Sequence, residues 1–264
     1  MTPLLAIDVG NTNVTLGVWV GDRLSGPWRL ATHRDRTTDE YAILVRGCLA
    51  PAGLDPGALE ASVLCCVVPQ VLDTITGMCR QFGHETLVVE PGVRTGMPIL
   101  TEAPQDVGAD RIVNAVAAHA RHGGPILIVD LGTATTIDAV SARGEYLGGA
   151  IAPGVGVAAE ALFNSAARLP RVEIRRPAQA IGRGTATALQ SGLVLGSAAL
   201  IDGLVRRMAS ELSPPAGQGV RVVATGGLAG VITAACETVE HVEPDLTLDG
   251  LRRIWERNRA PRPR

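Results

Sequence analysis

The chain has 264 residues, enough for one large domain or two small ones at roughly 100–200 residues each. It is 46% hydrophobic but only 3% aromatic, so its core must be built from Ala, Val, Leu and Ile, as in a globular α/β protein and unlike a disordered one. A net charge of −2 gives no strong field to recruit nucleic acid or an anionic membrane surface.

All 24 basic residues are Arg. Without Lys there can be no G-x-x-x-x-G-K-[ST] phosphate loop, no Schiff-base lysine and no kinase strand lysine. The five cysteines, Cys48, Cys65, Cys66, Cys79 and Cys236, form no C-x-x-C pair. Cys65 and Cys66 lie in an apolar run, where Cys behaves as a small hydrophobe, and a reducing compartment is the simplest setting. The first residues run straight into Leu4-Leu5-Ala6-Ile7-Asp8, with neither the basic flank of a signal peptide nor a membrane span. A cytoplasmic protein is expected.

The pattern opens with strands over 3–9, 14–20 and 24–32, the last two joined by a turn at Gly21-Asp22. A helix follows over 38–50, capped by Thr37 or Thr38, then a buried strand over 62–68, a helix over 70–82 and a short strand over 86–89. Residues 91–106 are rich in Pro and Gly and read as a loop. Val107 to Arg121 reads as a helix, and Gly123-Gly124-Pro125 as a breaker and domain boundary. A second meander is predicted over 126–131, 135–141 and 146–152. Helices near 156–166 and over 185–210, a strand over 220–224 and a helix over 247–258 complete the pattern. The tail Arg257 to Arg264 reads as frayed.

The strongest signal is a duplication. Ile7-Asp8-Val9-Gly10-Asn11-Thr12-Asn13-Val14 aligns with Val129-Asp130-Leu131-Gly132-Thr133-Ala134-Thr135-Thr136, an offset of 130 − 8 = 122 residues. In each copy an Asp at a strand end points its carboxylate to the mouth of the sheet. The Gly lets backbone N–H groups approach an anion, and Thr and Asn add donors. Two such turns can hold a phosphate chain and its metal. Taken singly, Asp8 could equally be a turn residue bonding its own backbone.

The duplicated pattern resembles the superfamily of actin, hexokinase and the heat-shock chaperones, whose members bind ATP in the cleft between two duplicated ribonuclease-H-like domains. That implies an α/β fold with a mixed sheet flanked by helices in each domain, divided here as 1–122 and 123–264. Further segments narrow the match: Gly108-Ala109-Asp110-Arg111, Gly148-Gly149-Ala150-Ile151-Ala152-Pro153-Gly154, Ala167-Arg168-Leu169-Pro170, Gly182-Arg183-Gly184-Thr185 and Ala224-Thr225-Gly226-Gly227. In this order they resemble the type III pantothenate kinases, over nearly the whole chain.

The resemblance implies phosphorylation of the 4′-hydroxyl of pantothenate by ATP with Mg2+, the first step toward coenzyme A, and a homodimer. It implies that Asp8, Val9, Gly10, Asn11, Thr12, Asn13, Val14 and Thr15 bind ATP together with Thr133. It assigns Asp110 as general base, Gly108, Ala109, Asp110, Arg111 and Thr185 to pantothenate, and Asp130 to a monovalent cation, K+ or NH4+. A base at position 110 suits transfer to an alcohol, and such assistance is worth roughly 10²–10⁴-fold. Helix capping is the plainer role for Asp110 and for Thr185, and a surface ion pair for Arg111. The histidines show no metal-ligand spacing and read as ordinary surface or core groups. Many relatives carry a Tyr in the loop before Gly108 where this chain has Thr101, so substrate contacts there differ. A kinase for another small alcohol or acid, or a regulatory homologue without kinase activity, are the other readings. The second would be expected to lack one of Asp8, Asp110 and Asp130.

Overall fold

A computed structural model describes residues 3–166, 168–212 and 219–259. Ala167 of the Ala-Arg-Leu-Pro segment and the last five residues of the basic tail lie outside the described residues. The chain divides into two compact units, one of Met1–Gly96, Gln105–Ala117 and Asp245–Arg264, the other of Met97–Pro104 and Ala118–Pro244.

In the first unit, β1 (Leu4–Val9), β2 (Asn13–Val20) and β3 (Arg23–Ala31) form an antiparallel meander. Helix α1 (Thr38–Leu49) leads to β4 (Ala61–Cys66), and α2 (Pro69–Gln81) to β5 (Glu85–Val88), both added in parallel. The sheet order is β3-β2-β1-β4-β5. The parallel strands arrive through helical crossovers, so β1 and β4 are covered and apolar along most of their length. Thr37 caps α1 in a reciprocal box with Glu40.

Two further helices complete this unit, the start of α3 (Ala109–His122) and α8 (Leu246–Arg259). Helix α8 packs on β1 and β4. The Trp19 indole N–H donates to the Leu248 carbonyl at 3.0 Å, and Thr247 bonds buried Asn114 at 2.7 Å. The helices meet closely at Gly250, where a Cβ would stand 2.1 Å from the Val113 carbonyl oxygen.

The second unit repeats the plan. The meander is β6 (Ile126–Leu131), β7 (Ala134–Val140) and β8 (Tyr146–Pro153). Then come α4 (Val155–Ser165) and a helical run of α5 (Thr185–Gln190), a π-helical stretch Ser191–Leu195 and α6 (Gly196–Glu211). β9 (Arg221–Thr225), α7 (Ala229–Thr233) and β10 (His241–Val242) close it, with sheet order β10-β9-β6-β7-β8. The Thr185–Glu211 run is long and apolar enough to cross a membrane by composition. Here it is a core helix, burying Leu193, Val194, Ile201 and Val205 beneath the sheet.

The two sheets superimpose strand for strand in order and direction, so the duplication read from sequence is a duplication of fold. Its register needs one correction. Asp8 pairs with Thr15, but Asp130 pairs with Thr136, so the offset falls from 122 to 136 − 15 = 121 across the hairpin. The first turn closes by Gly10 N–H to the Asn13 carbonyl, the second by Gly132 N–H to the Ala134 carbonyl. The first turn therefore carries one more residue, and Thr15 corresponds to Thr136. A Gly250→Val change forces a side chain into the Val113 backbone. It should cost about 1–3 kcal/mol of overpacking strain, read as a lowered midpoint in urea denaturation.

Candidate active site

Asp8 stands near the carboxyl end of β1, the central strand of its sheet, with Thr15 on one side and Cys65 on the other. Residues paired across a ladder share a face, so the three side chains form a row. The Cys65 thiol donates to Asp8 Oδ1 at 3.3 Å. Burial pushes the Asp8 carboxyl up to about 7, and the negative charge of Asp110 adds to the rise, partly offset by the thiol hydrogen bond. Burial also holds the Cys65 thiol well above its ordinary value, reinforced by both carboxylates, so it remains a donor. The small-hydrophobe reading of Cys65 holds for its burial and misses this bond.

Beyond Asp8, Asn11, Thr12 and Asn13 are exposed. Thr32 anchors the turn from the end of β3, its N–H donating to the Thr12 carbonyl at 2.9 Å and its hydroxyl to the Gly10 carbonyl at 2.7 Å. Val9 and Val14 pair with each other and are fully buried, so their side chains serve the core and only their backbone borders the turn.

Asp110 lies in the first turn of α3, in the same unit. Its Oδ1 accepts the Arg111 N–H at 2.8 Å, a local capping contact. Gly108 lies close beside it: a Cβ there would stand 2.6 Å from that oxygen, so a larger residue would displace the carboxylate. The structure thus brings Asp8, its turn and the Gly108-Ala109-Asp110-Arg111 segment into one unit, close enough for one carboxylate to raise the other.

In the second unit Asp130 occupies the corresponding place on β6, flanked by Thr136 and Thr225. Thr136 donates to Asp138 Oδ2 at 3.2 Å, while the Tyr146 hydroxyl donates to Asp138 Oδ1 at 2.6 Å. Asp138 and Tyr146 are both buried, so Thr136 is held with its proton committed and its oxygen left as an acceptor. Gly226, at φ 97°, crosses tightly over this point, and a Cβ there would be 2.7 Å from Asp130 Oδ1. Thr133 is exposed in the hairpin turn, and Gly154 passes so close that a Cβ would lie 2.2 Å from the Thr133 carbonyl oxygen.

Thr185 is exposed at the start of α5 and is not its cap. Gly184 holds that position, its N–H bonded to the Thr187 hydroxyl at 3.1 Å. Thr101 belongs to the second unit, in a segment bridged to Tyr146. Its hydroxyl oxygen is buried without a hydrogen-bond partner, and its methyl group packs near Gly148.

Both Asp sites offer hard oxygen donors. At Asp8 these are one carboxylate and the polar groups of the turn, which suits a Mg2+ that keeps most of its water. At Asp130 they are a carboxylate and threonine hydroxyls, which suit an alkali cation. Among the described residues no three His, Cys, Asp or Glu side chains gather as a protein-only metal cage.

Sequence reading missed Thr32 and Asp138. Thr32 ended a strand without signalling its reach, and Asp138 sat in an alternating strand at a position that reads as solvent-facing.

The fold is that of the actin-like phosphotransferases, two duplicated units each with a mixed five-stranded sheet. The ethanolamine utilization protein EutJ of Carboxydothermus hydrogenoformans shares it, with a TM-score of 0.57 at 15% identity over 96% of this chain and 90% of that one. The chain belongs to the type III pantothenate kinase family, whose model matches residues 4–207. It is 50% identical over 256 residues to a type III pantothenate kinase of Moorella thermoacetica, covering 97% of this chain and 99% of that one. It is 53% identical over 257 residues to one from Anaeromyxobacter sp. strain Fw109-5, covering 97% and 100%.

The raised Asp8 carboxyl has a consequence for stability. Its folded value of about 7 lies above the ordinary 3.8, so the folded state holds the extra proton between them. Without metal or nucleotide, that contribution is full below about pH 4 and is lost as pH rises through about 7. Asp8→Asn should remove the loss: its thermal midpoint relative to wild type should climb between pH 4 and pH 8, as followed by melting curves.

Proposed function

We propose that this protein transfers the γ-phosphoryl group of ATP to the 4′-hydroxyl of pantothenate, giving 4′-phosphopantothenate. The observation that carries this reading is the Asp8–Asp110 carboxylate pair within one unit of a family member. Asp8 and its turn receive the nucleotide phosphates: backbone N–H groups of the turn beyond Gly10, whose own N–H closes it on the Asn13 carbonyl, face the phosphate oxygens, and the carboxylate would orient the water shell of Mg2+. Asp110 accepts the hydroxyl proton as the alcohol attacks. Arg111 pairs with the pantothenate carboxylate, a charge-assisted contact, while Gly108, Ala109 and Thr185 line the substrate. Thr133 adds a donor to ATP, and Asp130 with the Thr136 oxygen holds K+ or NH4+. With no lysine in the chain, backbone donors and the two cations would carry most of the phosphate charge.

A cytoplasmic homodimer fits this reading. β8 is a sheet edge, and its outer face exposes Leu147 and Ile151, Ile151 at 68% of its surface. Val157 and Leu162 of α4 and Leu200 of α6 are also exposed. Among the described residues only the start of this edge is paired, where Tyr146 bonds residues 98–100; exposed apolar groups beyond it invite association, and covering them with a second copy removes the liability. Ile151→Glu should convert a dimer to a monomer in size-exclusion chromatography with light scattering.

The central experiment is a coupled ADP-release assay with pantothenate and MgATP, in potassium and then in sodium alone. Potassium-dependent turnover is expected, and Asp110→Asn should lose about 10²–10⁴-fold in kcat with its fold intact by circular dichroism. Absence of turnover in both salts by folded wild type would favour a regulatory homologue or another acceptor. Full activity of Asp110→Asn would remove it as the base.

A further inference from the structure

The two halves place the same three-residue row across the central strands, with one substitution. The first row is Thr15, Asp8, Cys65 and the second is Thr136, Asp130, Thr225. Where the second half has a hydroxyl beside its carboxylate, the first has a thiol. A threonine oxygen can bond an acid and also ligate a hard cation. A thiol is a donor and a soft atom, poorly suited to Mg2+ or K+. Cys65 is fully buried, and its sulfur lies 3.3 Å from Asp8 Oδ1. The neighbouring Cys66 thiol points elsewhere, donating to the Val68 carbonyl at 3.2 Å. The chain path after β4 is held separately, by Val67 N–H to the Val9 carbonyl at 3.0 Å, so the Cys65 thiol is not needed to register the strands.

We propose that Cys65 is a positioning residue for phosphoryl transfer: its S–H holds Asp8 Oδ1 and so fixes the rotation of the carboxylate, leaving Oδ2 to face the hydrated Mg2+ of the nucleotide. This rests on the reading that Asp8 orients the metal nucleotide. A carboxylate that turns freely about its last bond presents either oxygen, or neither, to the metal waters. One bonded to a donor on the next strand is set before the nucleotide arrives. Cys65 itself touches no substrate. Its effect should fall on Mg2+ activation and on KM for MgATP more than on KM for pantothenate.

The test compares wild type with Cys65→Ser, Cys65→Ala and Asp8→Asn in the ADP-release assay, titrating Mg2+ at fixed ATP, and in calorimetric binding of MgATP without pantothenate, where the same order of affinities is expected, with thermal melts to check folding. Cys65→Ala should raise the Mg2+ concentration for half-maximal rate about 3- to 10-fold, the scale of one lost hydrogen bond, with little change in KM for pantothenate. Cys65→Ser keeps a donor and should return that value to within about 3-fold of wild type. A side chain needed only for packing predicts the reverse order, because a buried hydroxyl fits an apolar strand less well than a methyl group. If Ala matches wild type, or Ser is worse than Ala, the proposal is overturned while the role of Asp8 stands. If Asp8→Asn keeps wild-type Mg2+ activation, the role of Asp8 falls and the proposal falls with it. Should the Ala variant fail to fold, Cys65→Val fills the volume without a donor and is judged by the same criterion.

Discussion

A half-buried carboxylate near the end of a central strand is the constraint around which each half of this protein is arranged. Strand β1 lies where the antiparallel meander meets the parallel strands, so it is flanked on both sides and covered by helices. The cost to Asp8 appears as a carboxyl raised to about 7. A buried acid is tolerated when its partner is a hydrogen-bond donor or a cation, and the residues around Asp8 supply the first and leave room for the second. The Gly10 turn and the short strand ends keep that carboxylate at the rim, where ligands of open α/β sheets bind.

Duplication gives the second half the same constraint and a different answer. The Asp130 hairpin is one residue shorter, a threonine replaces the cysteine, and buried Asp138 holds Thr136 from behind. These changes raise the number of hard oxygen atoms around Asp130. One backbone plan therefore yields two carboxylate settings of different donor character through three local differences.

Much of this was legible in the chain. The strands of both meanders follow from apolar runs broken by Gly and polar turns, and the aspartates follow from the repeat itself. What escaped was short or non-local. β10 has two residues and α7 five, too few for any periodicity to register. The π-helical stretch within the long helix has the same apolar spacing as an ordinary one. The extra residue in the first turn is invisible to an alignment anchored on Asp and Gly, because both copies keep polar residues after them. The role of Cys65 depends on which residue faces Asp8 across the β1–β4 ladder, a fact of register over 57 positions rather than of local composition. Membership of α8 in the first unit likewise depends on Trp19, Asn114 and Gly250 meeting partners far away in the chain.

In the proposed function, the pairing of Asp8 with Asp110 would tie nucleotide binding to readiness for chemistry. Without a cation, two nearby carboxylates in a partly dry site oppose each other's ionisation, and Asp8 carries that burden together with its burial. Under the proposed function, a cation held beside Asp8 would favour its ionised form, so binding there would be coupled to release of the proton that Asp8 holds near neutral pH. On that reading Asp110 would serve as base only once a bound cation had offset the charge of Asp8, because each carboxylate raises the other's cost of ionisation.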